Sequence, residues 1–118
     1  MKAVMSEVED RRRSQNARWG DVDKQPDRPI GGETSLARER DLIGARLVKE
    51  KRERAGTLTW MDILKEEFLE LAAEPDTDWA RQRDEALDAA AVLVAMIEAG
   101  DLRAQKAKDA AGTNAGQG

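Results

Sequence analysis

The chain of 118 residues contains neither cysteine nor histidine. Together these absences exclude disulfides, zinc centres built on thiolate or imidazole, thiol nucleophiles and imidazole general bases. Any catalysis must therefore run on carboxylates, Lys, Arg, hydroxyls or a bound metal. Aromatic residues make up only 3 %, tyrosine is absent, and just three prolines interrupt the chain. With alanine frequent, that composition predicts an all-α protein. No apolar run approaches the roughly 20 residues of a membrane span. Met1-Lys2 leads into charge rather than into the apolar stretch of a secretory leader. A soluble, cytoplasmic protein is expected, with a length that suits one domain and a modest core.

What is plentiful is charge, and it is unevenly spread. Residues 1–56 carry 14 Lys/Arg against 11 Asp/Glu, a balance of +3, whereas residues 57–118 carry 6 against 13, a balance of −7. A basic front half and an acidic back half suit a metal–polyphosphate site, with carboxylates for the ion and cations for the phosphates. An ordinary mixed surface reads the same way. The acidic total and the lack of a basic face interleaved with aromatics disfavour nucleic acid as a partner.

Four helices are predicted. The first covers about Lys2 to Arg18, with a sparse apolar stripe of Val4, Met5 and Val8. From Trp19 to Thr34 the elements Trp19-Gly20, Pro26, Pro29 and Gly31-Gly32 break the pattern, which makes 19–34 a long loop. The second helix starts near Ser35 and stops before Gly56. The third opens at Thr59, where Thr59-x-x-Asp62 resembles a capping box with a shortened acid, and ends near Ala73 ahead of Pro75. The fourth begins at Thr77 or Asp78 and runs to Gly100. The expected organisation is one helical domain over 1–103, followed by a disordered Ala/Lys/Gly-rich tail over 104–118 that has nothing to bury.

Two acidic motifs stand inside apolar helical patterns. Glu66-Glu67-Phe68-Leu69-Glu70 reads EExxE and Glu85-Ala86-Leu87-Asp88 reads ExxD, with residues 71 to 84 between them. In the third helix Trp60, Ile63, Leu64, Phe68 and Leu71 mark the buried face. Glu67 lies within that face, Glu70 at its edge and Glu66 nearer the polar side. In the fourth helix Asp88 heads a stripe continued by Val92 and Met96, with Glu85 one turn earlier on the same side. A carboxylate on an apolar face is costly without a partner. If the third and fourth helices pack antiparallel across their short connection, Glu67, Glu70, Glu85 and Asp88 converge and need a cation. All-oxygen ligation selects Mg²⁺ or Mn²⁺. Solvated glutamates with no ligand are the competing reading of each motif alone.

These motifs resemble the signature of the all-α nucleoside triphosphate pyrophosphohydrolases, the MazG-like group, in which EExxE is followed after a variable gap by ExxD. The matching residues are Glu66, Glu67, Glu70, Glu85 and Asp88. Arg12, Gln15, Trp19 and Gly20 are similar to an RxxQxxxWG pattern in MazG-like proteins of phages and actinobacteria. Gly56-Thr57-Leu58-Thr59-Trp60 is similar to the lead into their EExxE helix. The likeness spans roughly Arg12 to Leu102, discontinuously. Those relatives often follow WG with Asn-His-Pro, where this chain has Asp23-Lys24-Gln25-Pro26.

The resemblance implies a four-helix-bundle-like fold, assembled as a dimer or a dimer of dimers. It implies Mg²⁺ on Glu67, Glu70, Glu85 and Asp88, and attack of water at the α-phosphorus of a nucleoside triphosphate to release pyrophosphate and a monophosphate. Glu66 then either orients or deprotonates that water, or is a surface glutamate. Arg12, Gln15 and Trp19 become substrate-binding candidates. Trp19 either stacks on a nucleobase or closes the loop on the bundle, and Arg12, within Arg11-Arg12-Arg13, either meets phosphates or faces solvent. The apolar stretch Leu87 to Ile97 independently suggests a central helix or a subunit interface. The alternative function is a non-catalytic helical module of the same ancestry that binds a nucleotide or a protein.

Overall fold

The structure, a computed structural model, describes residues 2–117, with side-chain surroundings given for 2–112. Four α-helices occur among the described residues: α1 Lys2–Trp19, α2 Leu36–Ala55, α3 Trp60–Ala73 and α4 Trp79–Gln117, with a 3₁₀ turn at Val22–Lys24. The all-α expectation holds, and no strand is present among the described residues. None of these helices is long and apolar enough to cross a membrane. The chain divides into two compact units, one of Gln25–Leu93 and one of the residues up to Lys24 with those from Val94 onward.

Helix ends follow local chemistry. Ser35 caps α2 by accepting a hydrogen bond from the Arg38 N–H at 3.2 Å. Gly56 closes α2 in the left-handed region (φ 72°), its N–H bonded to the Glu53 carbonyl at 3.2 Å. That conformation is costly for any residue with a side chain. Thr59 and Asp62 form the full capping box of α3. The Thr59 hydroxyl accepts from the Asp62 N–H at 3.2 Å, and the Asp62 carboxylate accepts from the Thr59 N–H at 3.0 Å. The second Asp62 oxygen accepts from Arg52 at 2.8 Å, so one carboxylate ties the end of α2 to the start of α3. Asp78 caps α4, accepting from the Arg81 N–H at 3.2 Å.

In the unit of residues 25–93, α2 and α3 form the principal helix pair. Ala45 on α2 and Leu64 on α3 are buried, and Ala89 is the buried residue of α4 here. The segment before α2 lies along the α3–α4 turn through Glu33 N–H to the Ala72 carbonyl (3.0 Å) and Thr34 Oγ1 to the Ala73 carbonyl (3.5 Å). Gly32 makes that approach possible, because a Cβ there would stand 2.0 Å from the Glu74 carbonyl oxygen. Gln82, 3 % exposed, is the buried polar residue of the unit. Its Nε2 donates to Asp76 at 2.7 Å and to the Glu74 carbonyl at 3.5 Å, fixing the start of α4 on the turn.

In the other unit α1 ends at Trp19, where Gly20 (φ 87°) donates its N–H to the Asn16 carbonyl at 2.8 Å. Val4 is its buried residue among those described. Helix α4 continues past Gly100 to Gln117, which corrects the expected stop at Gly100. Arg103-Ala104-Gln105-Lys106-Ala107-Lys108 is built of strong helix formers, so propensity carries the helix where burial does not.

Candidate metal centre

Helix α3 presents Glu67 and helix α4 presents Glu85 and Asp88, and one carboxylate oxygen of each lies within 4.8 Å of the others. Gln82 sets the register of α4, and Glu85 follows it one turn later on the helix. Glu67 and Glu85 are half-buried and Asp88 is exposed, so the cluster opens to solvent on one side. The Oε2 atoms of both Glu67 and Glu85 are buried without a hydrogen-bond partner. Unsatisfied buried carboxylate oxygens are expensive, and a hard cation is one group that could satisfy them.

The electrostatics carry the same mark. Burial pushes the Glu67 carboxyl above the ordinary range, and Glu70, Asp88 and Glu66 add repulsion that Lys49 only partly opposes. Burial also raises Glu85, to about 7, helped by the charge of Glu70, a hydrogen bond with Glu70, and the charges of Asp88 and Glu67. Two carboxylates can share a hydrogen bond only through a proton, which a cation bound between them would displace. Three carboxylates within a few ångströms, with no nitrogen or sulfur donor available, match the donor set of Mg²⁺ or Mn²⁺.

Glu70 stands beside this trio rather than inside it. It meets Glu85 while its Oε1 accepts from Arg46 at 3.3 Å. Glu66 is the better buried of the two outer glutamates, and its Oε2 pairs with Lys49 Nζ at 3.3 Å. All five acids of the two motifs thus belong to the unit of residues 25–93. Arg46 and Lys49 escaped the reading of the sequence, although both lie on the α3-facing side of α2 with Leu42, Ala45 and Arg52. The spacing 42, 45, 46, 49, 52 is the signal that could have found them.

Arg12, Gln15 and Trp19 belong to the other unit. Arg12 spends its guanidinium within α1, donating to Gln15 Oε1 at 2.7 Å and Asn16 Oδ1 at 3.0 Å. Arg12 and Gln15 line a groove of about 380 Å³ with Val4, Val8 and Ile97. Trp19 is 60 % exposed, with the Arg18 guanidinium 5.5 Å from its ring centre. Closure of the loop by a buried Trp19 is therefore not what the structure shows. Trp79, at 61 %, is equally exposed, and Trp60 is half-buried at the start of α3.

Helices α3 and α4 meet through these side chains, whereas the closest backbone pairing is that of α2 with α3. Like charges on the facing sides offer no apolar seam to draw the two backbones together. No family model matches the chain, and no curated protein or solved structure matches it.

Proposed function

We propose that the chain is a Mg²⁺-dependent nucleoside triphosphate pyrophosphohydrolase of four-helix-bundle-like, MazG-like type, acting as a homo-oligomer in the cytoplasm. The observation that carries the reading is the Glu67, Glu85 and Asp88 cluster, its oxygens within 4.8 Å and two of its carboxylates holding a buried, unpartnered oxygen. These three residues would hold the ion, with Glu70 joining from its position against Glu85. When bound, Mg²⁺ neutralises polyphosphate charge and lowers the pKa of the attacking water.

The chain's own residues divide the remaining work. Glu66, half-buried beside the cluster, orients the water and accepts its proton, and Lys49 holds that carboxylate in place at 3.3 Å. Lys49 and Arg46 bring positive charge from α2 to the rim of the acidic centre, where a triphosphate needs it. The oxygen of water bonds to the α-phosphorus as the bond from that phosphorus to the bridging oxygen breaks, and pyrophosphate leaves. The substrate roles of Arg12, Gln15 and Trp19 rest on the sequence resemblance alone.

Products separate this reaction from γ-phosphate hydrolysis. With Mg²⁺, a panel of NTPs and dNTPs, and ¹⁸O-labelled water, label should enter the monophosphate and not the pyrophosphate. Orthophosphate as the first product, or turnover indifferent to Glu70→Ala, refutes the mechanism. A second reading is favoured by Asp23-Lys24-Gln25-Pro26 standing in place of Asn-His-Pro. In that reading the chain is a non-catalytic module of the same ancestry, and it wins if metal binds while no nucleotide is turned over.

A further inference from the structure

Helix α2 carries two stripes on opposite faces. The stripe of Arg38, Leu42, Ala45, Lys49 and Arg52 turns toward α3, where Ala45 is buried and Lys49 and Arg52 make their ion pairs. At about 100° per residue, Ile43 and Leu47 lie 200° to either side of Ala45, on the far face. With them run Leu36, Arg40, Glu50 and Arg54, at spacings of four, three, four, three and four residues. That is the heptad seam of a coiled coil, and it is uncovered: Leu36 is 72 % exposed, Ile43 51 % and Leu47 60 %. Arg40, Glu50 and Arg54 make no ion pair among the described residues.

The pattern of this seam is complementary to itself when reversed. We propose that α2 pairs antiparallel with α2 of a second copy of this chain, about a two-fold axis level with Ala45. Ile43 then meets the partner's Leu47, and Leu47 meets the partner's Ile43, forming an apolar centre. On either side Arg40 faces the partner's Glu50 and Glu50 faces the partner's Arg40. At the ends Leu36 lies against the aliphatic stem of the partner's Arg54. A parallel pairing in register would instead set Arg40 on the partner's Arg40 and Glu50 on the partner's Glu50, so the charges select the antiparallel form. The apolar centre supplies the affinity and the flanking ion pairs supply the register. A partner of unrelated sequence would not require this seam to be palindromic, whereas a second copy does.

The proposal rests on the oligomeric state given above and is separated from it by where the contact lies. In sedimentation velocity across micromolar concentrations, wild type should dimerise. Arg40→Glu, which sets like charges in two layers, should weaken the dimer by about tenfold or more, and the double variant Arg40→Glu/Glu50→Arg should restore it. Circular dichroism confirms that each variant keeps its helices. The chain lacks cysteine, so cross-linking is clean. Oxidising a mixture of Ile43→Cys and Leu47→Cys chains should give the mixed disulfide in preference to either self-linked product. A monomeric wild type overturns the proposal. An oligomer indifferent to Arg40→Glu, a double variant that fails to recover, or preferential self-linking of Ile43→Cys also overturns it, and shows that the copies do not meet through this antiparallel seam.

Discussion

Two buried carboxylate oxygens without hydrogen-bond partners, on Glu67 and Glu85, carry the proposal of a cation at the acidic centre. Glu67→Gln or Asp88→Asn should weaken Mn²⁺ binding by calorimetry about tenfold or more, while the helical signal stays intact and apo stability holds or rises as repulsion is removed. Equal Mn²⁺ affinity in variant and wild type would show that the cluster is not the site. The same residues set a pH dependence. A carboxyl raised in the folded state contributes stability that is full below its unfolded pKa and lost as pH rises through the folded one. Glu85, raised to about 7, and Glu67, raised in the same direction, should therefore lower apo thermal stability as pH climbs from about 4.5 to about 7. Asp62 runs the other way: its carboxyl is lowered, first by the Thr59 N–H, so its contribution is lost as pH falls through the acid range. Thermal melts without metal, compared between wild type and Glu85→Gln, check this, since the substitution should flatten the neutral limb and leave the acid limb.

At the level of elements, the unit of residues 25–93 is held by end chemistry more than by core. Its buried apolar residues are few, and of Ala45, Leu64 and Ala89 two are small. The Thr59 cap and the Asp62 carboxylate connect α2 to α3, while Gln82 and Gly32 fix the turn that launches α4. Thr59→Ala should cost about 1 kcal/mol in urea unfolding through the lost cap. Gly32→Ala should cost about 1–3 kcal/mol, because a backbone carbonyl 2.0 Å from the new Cβ must move. The α3–α4 turn carries Gln82, and Gln82 places Glu85, so Gly32→Ala should also weaken Mn²⁺ binding with every ligand still present. Unchanged affinity would mean that the turn does not set the register of α4.

For the molecule as a whole, the proposed association is tested on the uncovered apolar residues. Beyond the α2 seam, Leu87 and Ile97 on α4 are 52 % and 42 % exposed, and the proposed oligomer could cover them. Light scattering should report a particle of at least twice 13.1 kDa. A polar substitution at Val94, in the middle of that stretch, should dissociate or aggregate it if α4 also takes part. An unperturbed particle would confine the contact to other surfaces.

Helix type and most helix ends, the stop expected at Gly100 excepted, lay in the sequence itself, because they depend on neighbours along the chain. Ser35, Gly56, Thr59 with Asp62, and Asp78 each act on a backbone group within a few residues, and every one stands where its pattern puts it. The inward position of Glu67 was equally legible, since a helix face follows from a period of 3.6 residues. Tertiary structure alone decided which carboxylates share an oxygen cage, because that depends on the rotation of α4 against α3. Glu70 stood aside toward Arg46, and Asp88 and Glu85 both came in, through a register set by the buried Gln82. It also decided which side of α2 is covered. Both stripes of that helix repeat with the same spacing, and only the packing of α3 onto Ala45 leaves Leu36, Ile43 and Leu47 in solvent. Local rules read a chain in one dimension, and the choice between two equivalent faces is made in three.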